Sequence, residues 1–230
     1  MVEIYAVEIP SGMERSRLEE LAALAGPEKR RRILRYHRQE DALRSLVADL
    51  LARTVLMDKC GLAAAEIEFA CSEYGKPYLR SGGSWAFNVS HAGKWAAAAF
   101  SQRAEVGIDI EEIRPAAMEI AESFFAPAEV GRLQYCPPDE RLAFFYDLWT
   151  LKESYVKFMG KGLSLPLDSF AMRMGTDGSI AVDSALPMAA HFRQYELDPG
   201  YKLSVCSGVP DFAGHAEVVS FAELEERLGR

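Results

Sequence analysis

Two stretches of this 230-residue chain share one pattern, and that pattern predicts the fold. The first is GLAAAEIEFACSEYGKPYL, Gly61 to Leu79, and the second is GLSLPLDSFAMRMGTDGSIAV, Gly162 to Val182. In each, a Gly-Leu pair ends a helical segment, and a short spacer, a strand, a glycine-containing turn and another strand follow. The repetition predicts an α+β fold of two similar halves, residues 1–104 and 105–230.

Hydrophobic periodicity predicts the other elements of each half. Helical patterns occur at Asp41–Asp58, Ala117–Phe125, Pro127–Gln134 and Leu142–Met159. Strand patterns occur at residues 2–9, Ile67–Cys71, Trp85–Val89, Trp95–Phe100, Val106–Ile110, Ser169–Met174 and Leu203–Cys206, and near Tyr195. The segment SHAG, residues 90–93, is expected to form the turn between two of these strands.

The charge of the chain is acidic overall but unevenly distributed. The formal net charge is -8 and the pI is about 5.2, which argues against a general nucleic-acid-binding protein. Residues 28–44, in contrast, hold seven Lys or Arg against three Asp or Glu. This basic segment suits an anionic partner, although solvent alone could also satisfy it.

Cysteine usage and apolar runs indicate a cytosolic protein. The four cysteines are scattered, form no C-x-x-C pair and are expected to be reduced. The first ten residues lack the basic and apolar regions of a secretory signal. No apolar stretch approaches the roughly 20 residues that span a bilayer, so we expect no membrane association.

The segment GIDIEEIRP, Gly107 to Pro115, places two acids two residues apart in a predicted strand. Asp109 and Glu111 therefore project to the same side, while Ile108 and Ile110 face the core. Adjacent carboxylates repel each other unless a cation lies between them, and hard oxygen ligands suit magnesium. The alternative is an exposed strand end whose acids are solvated.

The segment LWTLKESYVKFMGKGL, Leu148 to Leu163, places Trp149, Glu153 and Lys157 on one face of a helix. A Glu-Lys pair at this spacing is usually a surface ion pair. The tryptophan on the same stripe argues against a fully solvated face.

The segment FNVSHAGKW, Phe87 to Trp95, can present Ser and His to an anion or a nucleophile. It is no hydrolase triad, because the chain lacks a G-x-S-x-G elbow. The chain also lacks P-loop and Rossmann glycine patterns. Bound phosphates would therefore be held by basic side chains and a metal.

Together, N-x-S-H, G-I-D-I-E and W-x-x-K-E-S-x-x-K resemble the motifs of the 4′-phosphopantetheinyl transferase superfamily, in the same order and spacing. The length and the two halves resemble its surfactin-synthetase-activating branch, which is monomeric and pseudo-dimeric. The resemblance implies an active site at the interface between the two halves. The similarity continues in five further segments: PEKR at Pro27, EDALR at Glu40, EYGKP at Glu73, GKGLSLPLDSF at Gly160 and YELDPGYK at Tyr195.

The resemblance implies that the chain transfers the phosphopantetheine arm of coenzyme A to a serine of an apo carrier protein, peptidyl or acyl. Magnesium, with manganese as an alternative, would be held by Asp109, Glu111 and Glu153. Glu153 would also be the base, Lys157 would stabilise the departing adenosine 3′,5′-bisphosphate, and Asp109 would complete the catalytic set. The resemblance assigns coenzyme A binding to Lys29, Arg32, Arg44, Glu73, Tyr74, Gly75, Lys76, Pro77, Asn88, Ser90, His91, Lys152 and Lys157.

One departure from the pattern and one docking surface accompany this assignment. Arg32 stands where relatives often carry lysine, which keeps the charge but changes the donor geometry. The stretch Ile113–Phe125 is a candidate apolar docking surface for the carrier, although Phe124 and Phe125 could equally belong to the core. Two other functions remain open from the sequence: a metal-dependent nuclease and a non-catalytic carrier- or coenzyme-binding module.

Overall fold

The computed structural model describes residues 1–80, 83–115, 118–186 and 188–229. The helices in these ranges are α1 (Arg15–Leu21), α2 (Pro27–Ile33), α3 (Gln39–Cys60), α4 (Met118–Phe124), α5 (Pro127–Tyr135), α6 (Pro138–Met159) and α7 (Phe221–Leu228). The strands are β1 (Glu3–Glu8), β2 (Phe69–Cys71), β3 (Pro77–Leu79), β4 (Ala86–Ala92), β5 (Trp95–Ser101), β6 (Val106–Glu112), β7 (Ala171–Met174), β8 (Ile180–Asp183), β9 (His191–Tyr195), β10 (Tyr201–Ser207) and β11 (Glu217–Val219). Within these ranges no helix is both long and apolar enough to cross a bilayer.

The two halves have the same topology. In the first, β5 lies between β1 and β4, and in the second β10 lies between β6 and β9, with antiparallel pairing throughout. Each half also has one 22-residue helix, α3 or α6, followed by a two-stranded sheet, β2–β3 or β7–β8. The predicted α+β pseudo-dimer is therefore confirmed.

The chain crosses between the halves more than once. Residue 104 lies in the segment that joins β5 to β6. After β10, however, the chain returns: β11 pairs in parallel with β1, and α7 packs against α3 through Leu224 and Leu228. The first half thus includes residues from both ends of the chain.

The two sheets share a hydrophobic core. In β5 the side chains alternate, so Ala96 and Ala98 contact the cluster under α3, whereas Ala97 and Ala99 face the second half. There they meet Ile108 and other apolar residues of β6 and β10. The contact places β4 directly beside β6.

The helix α6 crosses β6 very closely, and a glycine makes this approach possible. A Cβ atom at Gly107 would overlap the backbone oxygen of Ser154 and the backbone nitrogen of Phe158. Because Glu153 and Lys157 belong to the same helix turns, this approach brings them to the acids of β6.

Several predicted bounds change in the structure. The strand β4 continues through Ser90 and His91, which pair with β5, so the predicted SHAG turn is wrong and the turn lies at Gly93 and Lys94. The helix α6 begins at Pro138 rather than Leu142, because proline is well tolerated in the first helical turn. The predicted helix from Ala117 is described from Met118, and Ala117 lies outside the described residues.

Candidate active site

The predicted site residues come from both halves. The first half contributes Lys29 and Arg32 on α2, Arg44 on α3, Glu73, Tyr74, Gly75 and Lys76 in the turn before β3, Pro77 on β3, and Asn88, Ser90 and His91 on β4. The second contributes Asp109 and Glu111 on β6, and Lys152, Glu153 and Lys157 on α6. The close contact of β4, β6 and α6 brings the centre of this set together.

Asp109 lies at that centre and is buried. Its Oδ1 accepts hydrogen bonds from Ser90 Oγ at 3.0 Å and from Lys157 Nζ at 2.6 Å. Its Oδ2 is also buried, but it has no hydrogen-bond partner among the described residues. A buried carboxylate oxygen without a donor is costly, and a bound cation would satisfy it.

Two more carboxylates share this poorly solvated space. The pKa of Glu111 is raised to about 7, first by burial and then by repulsion from Asp109, with a smaller contribution from Glu153. Burial and then Asp109 also raise the pKa of Glu153, and burial raises that of Asp109 against the opposing effect of Lys157. The charges of the three acids therefore repel one another, which is expected of a site that binds a cation.

Lys157 supplies one positive charge to these acids. Its ammonium also donates to Ser90 Oγ at 3.0 Å, so it bridges the two strands that carry Ser90 and Asp109. No group of three or more His, Cys, Asp or Glu side chains in the described ranges is arranged to hold a metal ion as it stands. The donor set is nevertheless of the right kind, because all three acids offer oxygen ligands.

A cleft of about 250 Å³ opens beside these acids, between the two halves. Its lining consists of Arg44, His91, Ala92, Gly93, Glu111, Glu112, Arg114 and Tyr146. The first-half side, called here the cationic wall, carries Arg44 and the imidazole of His91. The second-half side, called the acidic wall, carries the acids of β6 together with Arg114 and Tyr146. Such a division suits a ligand that is anionic and brings a cation with it.

The cationic wall continues along α2. The pKa of His91 is lowered to about 4, first by surrounding protein atoms and then by the positive charges of Lys157, Lys29 and Arg44. Burial, together with Arg32 and Arg53, also lowers the pKa of Lys29. With a pKa of about 4 the imidazole of His91 is uncharged at neutral pH, whereas Lys29 and Arg32 repel each other, so an anion bound among these groups would be stabilised.

Comparisons with known proteins match the chain over nearly its whole length. Residues 13–103 match the family model of the N-terminal 4′-phosphopantetheinyl transferase region, and residues 105–206 match that of the 4′-phosphopantetheinyl transferase superfamily. The chain is 39% identical over 226 residues to the 4′-phosphopantetheinyl transferase Sfp of Bacillus subtilis (strain 168), covering 97% of this chain and 100% of that relative. The chain belongs to the 4′-phosphopantetheinyl transferase superfamily.

A second full-length relative agrees with this membership. The 4′-phosphopantetheinyl transferase psf-1 of Bacillus pumilus is 36% identical over 233 residues, covering 99% of each chain. A solved holo-(acyl-carrier-protein) synthase from Bacillus anthracis str. Ames, in complex with CoA (3′,5′-ADP), matches 44% of this chain and 92% of its own, with 17% identity and a TM-score of 0.41. The full-length relatives identify the surfactin-synthetase-activating branch and a 4′-phosphopantetheinyl transferase, so the nuclease and the non-catalytic module are set aside.

The structure corrects the prediction that Lys152 of this phosphopantetheinyl transferase binds coenzyme A. Its side chain is 0% exposed, and Nζ donates to Glu129 Oε2 at 2.6 Å and to the Phe170 carbonyl at 2.7 Å. Burial lowers the pKa of Lys152, while Glu129 opposes that shift. Neighbours in a helix are about 100° apart, so Lys152 points into the core when Glu153 faces the cleft.

Two members of the N-x-S-H motif also contact protein groups. Asn88 is buried, and its Oδ1 accepts the backbone N–H of Ile108 at 3.0 Å, which ties β4 to β6. Ser90 donates to Asp109, as described above. In this structure Asn88 joins the halves and Ser90 orients Asp109, and the predicted coenzyme contacts of both residues stay predictions.

The EYGKP turn is exposed at Glu73 and Tyr74, and Gly75 has a positive φ of 85°. Lys76 donates to Glu105 Oε2 at 2.6 Å and to the carbonyl oxygens of Val106 at 3.0 Å and Phe158 at 3.3 Å. Since an ammonium has three donors, these acceptors use all of them. Lys76 therefore anchors the turn to the second half, and its contact with a coenzyme phosphate stays a prediction.

Sequence patterns missed five residues of the cleft lining, of which three have polar side chains. Glu112 and Arg114 form an ion pair, and Tyr146 donates its hydroxyl to the Arg114 carbonyl at 3.2 Å. Glu112 and Arg114 stand within the quoted GIDIEEIRP segment. The strand period directs Glu112 to the side opposite to Glu111, so periodicity did not select it as a site residue. Tyr146 lies two turns before Glu153 on α6, at a spacing that a helical projection would have found.

Proposed function

We propose that this enzyme transfers the 4′-phosphopantetheine arm of coenzyme A to a serine hydroxyl of an apo carrier protein, peptidyl or acyl, and releases adenosine 3′,5′-bisphosphate. The observation that carries the proposal is the meeting of three acids and Lys157 on one side of a cleft whose other side is cationic. Its action as a cytosolic monomer stays a prediction.

Asp109, Glu111 and Glu153 would hold a magnesium ion, with manganese as an alternative. The buried, unpartnered Oδ2 of Asp109 and the mutual repulsion of the three acids support this assignment. When bound, such an ion offsets the charge of the coenzyme pyrophosphate and polarises the phosphorus that is attacked.

Glu153 would accept the proton of the carrier serine. The serine oxygen then bonds to the phosphorus of the phosphopantetheine arm, and the bond from this phosphorus to the bridging oxygen breaks. The raised pKa of Glu153 makes its carboxylate a stronger base than an ordinary glutamate. Lys157 lies close enough to the same acids to stabilise the charge that develops on the departing bridging oxygen.

The first half would grip the rest of the coenzyme. Lys29, Arg32, Arg44 and His91 would bind its phosphates, and the exposed turn around Tyr74 would flank the adenine. Phosphoryl-type transfer mainly requires that the reacting groups be held in line and neutralised. The cationic wall serves both requirements.

The carrier would dock on the surface formed by α4. Phe124 is 48% exposed and Ile120 is 37% exposed, whereas Phe125 is buried at 2%. Phe124 also makes an edge contact with Trp149, at 6.2 Å between ring centroids, so it is held in place by α6. Of the two aromatic residues that the sequence left open, Phe125 belongs to the core and Phe124 remains the docking candidate. Ala116 and Ala117 of this stretch lie outside the described residues.

A matched pair of variants tests the role of Glu153. The variant Glu153→Gln keeps the size of the side chain but cannot accept the proton, so we expect kcat to fall by about 100-fold or more. Glu140→Gln changes an exposed acid in the first turn of the same helix and should transfer normally. Near-normal turnover by Glu153→Gln, with the thermal midpoint unchanged, would remove the proposed role.

A further inference from the structure

The β4–β5 turn of the first half, Gly93 and Lys94, packs closely against the second half at one end of the cleft. The backbone N–H of Lys94, in this turn, donates to the hydroxyl of Tyr201 at 3.0 Å. Gly93 has a φ of 50°, and a Cβ atom there would overlap both the Tyr201 hydroxyl and Glu112 Oε2. Only glycine fits this turn, because the second half occupies the space of a side chain.

The carboxylate of Asp198 binds two side chains in and next to the same turn. Its Oδ2 accepts from Trp95 Nε1 at 3.2 Å and from Lys94 Nζ at 3.0 Å, while Oδ1 accepts the Gly200 N–H at 2.9 Å. The Gly200 bond, and then Lys94 and Trp95, lower the pKa of Asp198. The loop Asp198–Tyr201 therefore contacts the turn by a backbone bond, an indole bond and an ion pair.

On the first-half side, this contact is continuous with the cationic wall. The Gly93 carbonyl accepts a hydrogen bond from Arg44 at 3.4 Å, and His91 precedes Gly93 by two residues in the chain. Arg44, His91 and Gly93 all line the cleft. A displacement of the turn would therefore move the groups proposed to bind the coenzyme phosphates.

On the second-half side, the pairing of β10 with β6 connects this contact to the acids of β6. Tyr201 pairs with Glu112 across the β6–β10 ladder, and its neighbour Lys202 pairs with Glu111. The Ile113 N–H donates to the Gly200 carbonyl at 2.8 Å, which extends the ladder into the loop. Since a strand ladder has fixed spacing, the Tyr201 hydroxyl stands at a set distance from the proposed metal ligands.

We propose that Tyr201 and Asp198 are positioning residues that set the separation between the cationic wall and the acidic wall of the cleft. The inference rests on the proposed function for the identity of the ligand. It also gives a role to the YELDPGYK segment, which no proposed contact with substrate explains. Neither residue touches the reacting atoms in this account; both act through the turn at Gly93 and Lys94.

The variant Tyr201→Phe tests this inference with a minimal change. It leaves the Lys94 N–H without its acceptor, so the turn, Arg44 and His91 lose their placement. We expect the Kd for adenosine 3′,5′-bisphosphate to rise about three- to tenfold, the range that one lost hydrogen bond supplies. The KM for the carrier should stay unchanged, since α4 lies apart from the turn in sequence and contacts.

The matched control is Tyr195→Phe. Tyr195 lies on β9 of the same sheet, and its hydroxyl donates to the Ala213 carbonyl at 2.9 Å, away from the cleft lining. This variant should lose stability at least as much as Tyr201→Phe, yet keep the nucleotide Kd. Calorimetric titration of adenosine 3′,5′-bisphosphate into the wild type and both variants, with thermal unfolding alongside, makes the comparison.

A weaker Kd in Tyr201→Phe alone supports the inference. Equal Kd values in the wild type and Tyr201→Phe overturn it, and so does an equal loss in Tyr195→Phe, which would indicate a general structural effect. If the wild type itself neither binds the nucleotide nor transfers the arm, the proposed function fails together with this inference. Failure of the inference alone leaves wild-type transfer intact.

Discussion

At the residue scale, Lys152 and Glu153 show why neighbours in a motif can have different functions. Glu153 faces the acids of β6, whereas Lys152 lies in the core against Glu129 and under the ring of Phe170, 4.4 Å from its centroid. Glu129 Oε1 also accepts the Met172 N–H at 2.7 Å. The buried ion pair thus joins α5, α6 and β7 behind the proposed active site.

We expect Lys152→Met to destabilise the protein by about 3–5 kcal/mol, because it leaves the carboxylate of Glu129 buried without its cation. The folded protein should bind coenzyme A as tightly as the wild type, since Lys152 does not reach the cleft. Urea unfolding and calorimetric titration of coenzyme A measure the two effects separately.

A second substitution serves as the control for this prediction. In Lys152→Met/Glu129→Gln the buried charge is removed, and the one amide oxygen can still accept a backbone N–H, from Ala126 or Met172, so part of the stability should return. An unchanged unfolding midpoint together with weak coenzyme binding would restore Lys152 to the binding site.

The sequence predicts some residues of the site and misses others for a physical reason. The strand period placed Asp109 beside Glu111, and the helix period placed Glu153 beside Lys157, because both relations are local. The partner of Lys152 stands 23 residues away, and that of Ser90 19 residues away on another strand. Such contacts depend on how the helices and strands pack together, and the spacing of residues in the sequence does not reveal this packing.

At the element scale, the approach of α6 to β6 decides whether the site forms. Gly107 stands where the helix crosses the strand, and its neighbours there are backbone atoms of Ser154 and Phe158. Backbone atoms cannot rotate aside as a side chain can. The first glycine of the G-I-D-I-E motif is therefore explained by packing rather than by contact with substrate.

We expect Gly107→Ala to destabilise the protein by about 3 kcal/mol, at the upper end of the range for overpacking, or by more. Transfer by the folded fraction should also fall, because α6 must move away from β6 and carries Glu153 with it. Chemical unfolding and kcat measure the two effects. The account would be contradicted by a variant as stable and as active as the wild type.

Gly131 on α5 provides the matched control. A Cβ atom there would meet nothing within 4 Å, so Gly131→Ala adds the same methyl group without a clash. Alanine also favours the helix, and a gain of about 0.5–1 kcal/mol is expected. Activity should not change.

Most of the elements were predictable from the sequence; β11 and α7 were not, and the end of β4 was misplaced. The strand β4 continues to Ala92. The sequence Ser-His-Ala-Gly nevertheless suggested a turn, because serine and glycine are common in turns. The helix α7 went unpredicted even though Ser220 and Glu223 form a capping box, with the Glu223 N–H donating to Ser220 Oγ at 3.2 Å. Its apolar residues pack on α3, at the other end of the sequence.

At the scale of the whole molecule, two halves of one topology create a cleft with two different walls. The first half contributes α2, α3 and the β4–β5 turn, which carry cations. The second contributes β6 and α6, which carry the acids. The shared core of β1, β5, β6 and β10 holds the walls together, so neither half alone contains the proposed site.

The most direct test of the central claim uses the whole enzyme with its proposed substrates. An apo peptidyl or acyl carrier protein is incubated with the enzyme, coenzyme A and magnesium, and its intact mass is then measured. We predict a gain of one phosphopantetheine group per carrier, lost when EDTA removes the metal and lost when the carrier serine is replaced by alanine. An unchanged carrier mass with both peptidyl and acyl carriers, from an enzyme that also fails to bind coenzyme A, would contradict the account.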